Sequence, residues 1–127
     1  MRMRKPVLTG HELQIMQIVW QHPSVTVRDV YEELLKRRKI AYTTVMTMMG
    51  ILETKGFLKK DLSEKAYKYR PAQRKEKVMS SLVSDFLHRV FDGSAKPLLV
   101  HLVENERISQ EELAEIARLM KEKERQL

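Results

Sequence analysis

Apolar residues recur at three- and four-residue intervals along most of the chain, and the pattern changes to strict alternation only once. Leu13, Met16, Val19 and Trp20 fall on one face of a first helix. Thr9-Gly10-His11-Glu12 opens it with capping-box spacing, in which the Thr hydroxyl and the Glu carboxylate each satisfy an unpaired backbone N–H. His22-Pro23 ends it, and Ser24-Val25 reads as a short extended piece. Thr26 caps a second helix with Val27, Val30, Tyr31 and Leu34 inward and Arg28, Glu32 and Glu33 toward water. Lys36-Arg37-Arg38-Lys39 follows as a solvated helix end, because cations suit the negative end of the helix dipole. After Ile40-Ala41, a third helix runs from Tyr42 to Lys55 with Val45, Met48, Met49 and Leu52 inward and Gly56 as its C-terminal stop.

Period two then replaces the helical spacing. Phe57 to Leu62, a polar turn Ser63-Glu64-Lys65, and Ala66 to Arg70 before Pro71 predict a β-hairpin. Tyr67 and Tyr69 are expected to pack inward, leaving Lys68 and Arg70 on the other face. Helical spacing resumes from Gln73 to Phe91, where Val78, Met79, Leu82, Val83, Phe86 and Val90 form a wide stripe. Asp92-Gly93-Ser94 breaks it, and Pro97 suits the first turn of a short helix, Leu98 to Val103. Ser109-Gln110-Glu111-Glu112 is a second capping box, opening a last helix with Leu113, Ile116, Ala117 and Met120 apolar.

The fold class expected is therefore mainly α with a small β-hairpin. Residues 1–72 form a winged helix-turn-helix and residues 73–127 a helical domain. Three amphipathic helices can bury little by themselves, so a second copy of the chain is the expected cover, giving a homodimer. Its contact positions are Met79, Leu82, Val83, Phe86, Val90, Leu98, Leu99, Leu102, Leu113, Ile116 and Met120.

Charge adds a partner to this picture. Residues 1–75 carry 16 Lys and Arg against 7 Asp and Glu, whereas residues 76–127 carry 8 against 10, so the net +7 belongs to the first half. A localised positive field attracts the phosphate backbone of nucleic acid. The outer face of the third helix, with Tyr42, Thr43, Met46, Thr47 and Gly50, is uncharged and rich in methyl groups, whereas exposed helices ordinarily favour Glu and Lys. Such a face suits a major groove, where hydroxyls meet base edges and methyls pack on thymine. Tyr42, Thr43, Thr44, Met46 and Thr47 are the expected groove contacts with double-stranded operator DNA. Lys59, Lys60, Lys65, Lys68 and Arg70 of the hairpin are the expected phosphate contacts.

Several chemistries have no residues to carry them. The chain has no cysteine, which removes disulfides, thiolate metal sites and cysteine nucleophiles. His11-Glu12 starts like H-E-x-x-H, but the fifth position is Ile15, and His22, His88 and His101 lie apart without a carboxylate cluster at ligand spacing. No metal, no cofactor and no enzymatic activity are expected. No apolar run of about twenty residues is available to span a bilayer, and the start Met1-Arg2-Met3-Arg4-Lys5 leads into polar sequence. A cytoplasmic protein without membrane insertion is expected.

The run Ala41-Tyr42-Thr43-Thr44-Val45-Met46-Thr47, the Lys55-Gly56-Phe57 turn, the wing Ala66-Tyr67-Lys68-Tyr69-Arg70-Pro71 and the first-helix residues Leu13, Ile15, Met16, Val19 and Trp20 resemble the BlaI/MecI family of penicillinase and methicillin-resistance repressors. The resemblance covers nearly the whole chain. It implies a homodimeric transcriptional repressor on a dyad-symmetric operator. It further implies release when a membrane metalloprotease that senses β-lactam cuts the dimerisation domain. The position matching the staphylococcal Asn-Phe cut is His101-Leu102 here. Gly50-Ile51 replaces a polar or basic pair of many relatives, and the cysteine ligands of the copper-responsive branch are absent. Two other readings fit the same elements: a winged-helix regulator controlled by a small-molecule ligand, and a winged-helix protein-interaction module.

Overall fold

The computed structural model describes residues 7–63 and 66–126, arranged as two compact units, one running to Val78 and the other starting at Met79. The first unit holds α1 (Gly10–Val19), α2 (Val27–Leu35), α3 (Tyr42–Thr54), β1 (Leu58–Ser63), β2 (Ala66–Pro71) and the start of α4 (Lys75–Phe91). The second holds the rest of α4, then α5 (Ala95–Glu104) and α6 (Gln110–Arg125).

Local chemistry sets the ends of these helices. Thr9 and Glu12 form the expected capping box on α1, and Ser109 and Glu112 that on α6. α2 has a third box, in which Thr26 is answered by Asp29. α3 ends at Lys55 with Gly56 at a φ of 86°. There the Gly56 N–H donates to Glu53 O and the Phe57 N–H to Leu52 O, at 3.0 and 2.9 Å. This pair of bonds closes the last turn and needs a left-handed residue, which glycine adopts without a Cβ clash.

The core of the first unit lies where α1, α2 and α3 meet the hairpin. Ile15, Met16 and Val19 from α1, Val30 and Leu34 from α2, and Val45, Met49 and Leu52 from α3 are wholly buried, with Leu58 and Tyr69 closing the sheet side. Each such side chain contributes roughly 1.5–3 kcal/mol of transfer free energy. α1 is buried more broadly than its expected stripe. Ile15 and Ile18 are inside, whereas Leu13 and Trp20 are only half-buried, because α1 touches α2, α3 and β2 at once. Trp20 keeps its Nε1–H satisfied by donating to Gln73 O at 3.0 Å. Met48, expected inward, is half-buried.

β1 and β2 pair antiparallel, Leu58 opposite Pro71 through Ser63 opposite Ala66. The Ser24-Val25 piece is extended as expected, and Val25 exchanges two backbone hydrogen bonds with Tyr69, at 2.9 and 2.7 Å, an isolated antiparallel bridge at the hairpin base. Only one of the two wing tyrosines packs inward. Tyr69 is buried at this base, but Tyr67 is 53% exposed, because it lies two residues nearer the tip, beyond the reach of the core.

In the second unit α5 starts earlier and ends later than the expected Leu98–Val103, and α4 begins at Lys75 rather than Gln73. No described residue of this unit is buried. Among the described residues, no helix is long and apolar enough to cross a membrane.

Candidate nucleic-acid interface

α3 turns one face to the core and the other outward, since Val45, Met49 and Leu52 recur at helical spacing. The outward positions Tyr42, Thr43, Thr44, Met46 and Thr47 are all exposed, and Gly50 is half-exposed. No Asp, Glu, Lys or Arg occurs between Ile40 and Leu52. The helix opens at Ala41 without a capping side chain and without an acidic residue in its first turn, in contrast to the carboxylate-capped starts of α1, α2 and α6. The positive end of its dipole is therefore not neutralised from within.

Tyr42, the first residue of α3, is held from α2. Its ring meets Tyr31 edge-on with centroids 5.4 Å apart, and the Arg28 guanidinium lies over its face at 5.9 Å. Arg28 is in turn 3.6 Å from Glu32. The sequence had put Arg28 in water and Tyr31 in a stripe. Their three-residue spacing marks one helix face, but only the crossing of α2 and α3 brings that face to Tyr42.

On the hairpin, strand alternation sorts the cations. Lys59, Asp61, Lys68 and Arg70 share one face; Leu58, Lys60, Leu62, Tyr67 and Tyr69 share the other. Lys60 is therefore engaged with protein groups, its Nζ 4.6 Å from the Tyr67 ring centre and 3.8 Å from Glu53. Arg70 donates through Nε to Asp61 at 2.7 Å. Lys59 and Lys68 are exposed and pair with no carboxylate among the described residues. Lys65 lies outside the described residues. Lys36, Arg37 and Lys39 at the end of α2 are exposed, with Lys36 paired to Glu33 at 2.9 Å.

In the second unit, Val83, Phe86, Val90, Leu99, Ile116 and Met120 are exposed by more than a third, while Met79, Leu82, Leu98, Leu102 and Leu113 are half-buried. Val100, Val103 and Leu119, absent from the expected contact positions, are exposed as well. His101 and Leu102 both lie inside α5, and the His101 carbonyl accepts from the Asn105 backbone N–H at 3.0 Å and from its side-chain amide at 2.9 Å. A hollow of about 350 Å³ beside α2 is lined by Ile18, His22, Ser24 and Val25 together with the charged Asp29, Glu32, Glu33 and Lys36, so its lining is mixed rather than predominantly apolar. The described residues contain no cluster of His, Asp and Glu arranged to hold a metal.

Known proteins resemble this arrangement in sequence and in fold. A family model described as penicillinase repressor matches residues 8–122. The transcriptional regulator BlaI of Mycobacterium tuberculosis is 36% identical over 95 residues, 73% of this chain and 69% of that protein. The penicillinase repressor of Bacillus licheniformis is 26% identical over 117 residues, 92% of this chain and 91% of that one. The solution structure of the monomeric form of Bacillus licheniformis BlaI in complex with the blaP half-operator matches with a TM-score of 0.51 at 27% identity, covering 57% of this chain and 89% of that chain. Streptococcus pneumoniae FabT in complex with DNA matches at a TM-score of 0.50 and 20% identity over 93% of this chain and 74% of its own, a likeness of fold.

Proposed function

Because the chain belongs to the penicillinase repressor family, whose members are transcriptional regulators and not enzymes, we propose that it is a homodimeric repressor that occupies a dyad-symmetric operator through its winged helix-turn-helix. The observation that carries this reading is the exposed, uncharged, hydroxyl- and methyl-rich face of α3, in a unit whose hairpin carries the exposed cations Lys59, Lys68 and Arg70. In a major groove, Thr43, Thr44 and Thr47 have hydroxyls for base edges or phosphates, and Met46 has a methyl for thymine. Lys59 and Lys68 have no internal partner among the described residues, so they reach phosphate without giving one up. The solved half-operator complex of the Bacillus licheniformis BlaI monomer supports the same use of the fold.

The second unit supports pairing. Apolar side chains on α4, α5 and α6 stand exposed, and no described residue there is buried, so the unit lacks a core of its own. A two-fold related copy would cover these faces and set two recognition helices about one or more turns of DNA apart. Repression then follows from promoter occlusion in the cytoplasm. Cleavage at His101-Leu102 by a β-lactam-sensing membrane metalloprotease is the route of release that the family resemblance suggests.

Selection of duplexes from a random pool by the full chain tests the reading. Enrichment of an inverted repeat, bound more tightly than random duplex and lost in Thr47→Glu, is the expected outcome. No enrichment, or equal binding by Thr47→Glu, overturns it.

A further inference from the structure

One face of the wing carries three cations and a single acid among its described residues. Asp61 stands directly opposite Lys68 in the strand register, two residues from Lys59 on its own strand and diagonal to Arg70. Its carboxylate accepts from Arg70 Nε at 2.7 Å, and both side chains are about half exposed. Charged side chains, lysine above all, commonly protect hairpin edges, and on this face the carboxylate also makes a cross-strand ion pair, which fixes where its oxygens lie. An arginine's planar fork fits carboxylate and phosphate alike. On Arg70 the Asp61 oxygens thus occupy the kind of position that a backbone phosphate would take, on the wing face that also carries Lys59 and Lys68.

We propose that Asp61 is a specificity-determining residue: an internal stand-in for phosphate that occupies Arg70 and weakens attraction of the wing to DNA of any sequence. The proposal rests on the DNA-binding reading above. Sequence-independent attraction comes from phosphate contacts alone, whereas discrimination comes from the groove-facing side chains of α3. A carboxylate on the wing therefore lowers random-duplex binding without touching base readout. Because the pair is exposed, Arg70 can exchange Asp61 for phosphate once α3 has seated in its groove, but Asp61 then remains beside the duplex as a repelling charge. Tight binding is thereby confined to sites where the groove contacts also form.

The test measures binding of the full chain to a duplex enriched from a random pool and to a random duplex, across a salt series. For Asp61→Asn, each wing engaged should raise random-duplex affinity about fivefold near 0.15 M salt and steepen the log–log salt slope by about 0.9, the effect of one more phosphate contact per wing. The rise should vanish in the double variant Asp61→Asn/Arg70→Gln, since the gain requires the freed guanidinium. Glu115→Gln, which removes an acid near Arg118 on α6, controls for net charge. A melting curve for each variant confirms folding, and Asp61→Ser repeats the test with a smaller side chain. If Asp61→Asn gains no more than Glu115→Gln, or if it binds the enriched duplex more weakly, the assignment is overturned. If the unaltered chain binds neither duplex at any salt, the DNA-binding reading itself fails. The two failures are thus distinct.

Discussion

Lys55 at the end of α3 donates to both carboxylate oxygens of Glu12 at the start of α1, at 2.8 and 3.1 Å, and to the Val7 carbonyl at 3.0 Å. The same Glu12 carboxylate accepts from the Thr9 N–H at 2.9 Å, so one buried acid both caps α1 and ties it to the C-terminal end of α3. Burial alone would raise its pKa. The hydrogen bond and charge of Lys55, with the Thr9 N–H, outweigh that and hold the carboxyl below its ordinary value of 4.5.

Stability should depend on acid through this group. A carboxyl whose pKa is lower in the folded than in the unfolded chain stabilises the fold above its unfolded value, and that contribution is lost as pH falls from about 4.5 through the folded value. Denaturant unfolding should therefore show a loss of stability below about pH 4.5 that is smaller in Glu12→Gln. Lys55→Met leaves the buried carboxylate without its cation and should lower stability near neutral pH by about 1–3 kcal/mol. An unchanged unfolding midpoint in Lys55→Met would remove this link from the account.

The contrast between Glu12 and Lys55 also marks how far the sequence could be read. Thr9-x-x-Glu12 identified the cap, because both groups lie within one turn and the spacing alone fixes their meeting. Lys55, 43 residues away, carries no local signal. The same division runs through the site. The outward face of α3 followed from helical periodicity, which places Val45, Met49 and Leu52 opposite Thr43 and Thr47. Contacts of Arg28 and Tyr31 with Tyr42, and of Lys60 with Glu53, depend on how elements cross. Alternation correctly set Lys68 and Arg70 on one wing face but gave Tyr67 the same inward fate as Tyr69, because period two reports a face and not the distance from the core.

The array around Tyr42 should influence DNA reading without contributing charge to it alone. Tyr31→Leu removes the edge-on ring and should weaken binding to the enriched duplex by about two- to twelvefold, the value of an aromatic pair near 0.5–1.5 kcal/mol. The salt slope should stay unchanged, since no phosphate contact is lost. Arg28→Lys, keeping the cation, should retain more affinity than Arg28→Met. If Tyr31→Leu lowers random-duplex binding by the same factor, the ring does not orient a reading residue.

Gly56 offers a test of the α3 terminus free of packing effects. Its φ of 86° is left-handed, yet a Cβ added there would meet nothing within 4 Å. Gly56→Ala should therefore cost about 1 kcal/mol from backbone conformation alone, and Gly56→Asn less, because Asn tolerates this region better. Thermal melts of the two variants give the order directly, and equal stability of Gly56→Ala and the parent chain would contradict the role assigned to the turn.

Pairing through the second unit predicts concentration-dependent stability. Ile116, Leu119 and Met120 are exposed on α6, from 37% to 63%, and lie at helical spacing on one stripe. Met120→Glu should place a desolvated charge in a two-fold contact and shift the chain toward monomer in sedimentation equilibrium. The melting temperature of the parent chain should rise with protein concentration, and that of Met120→Glu should not. A parent chain that sediments as a monomer at every concentration would leave the exposed stripes without the partner proposed for them.

Cleavage at His101-Leu102 meets a structural obstacle that can be measured. The carbonyl of that peptide bond is held twice by Asn105, through its backbone N–H and its side-chain amide, within α5. Proteases act on extended backbone, so the bond is exposed to attack only when α5 opens locally. Asn105→Ala removes the side-chain hydrogen bond and leaves the backbone one, and it should raise the rate of cutting at this bond by several-fold in limited proteolysis, tracking an opening free energy lower by about 1 kcal/mol. Mass spectrometry of the fragments locates the cut. Equal rates at residues 101–102 in the two proteins would mean that opening of α5 does not limit access, and the route to release would then depend on sequence preference at His101 and Leu102 instead of on the helix that holds them.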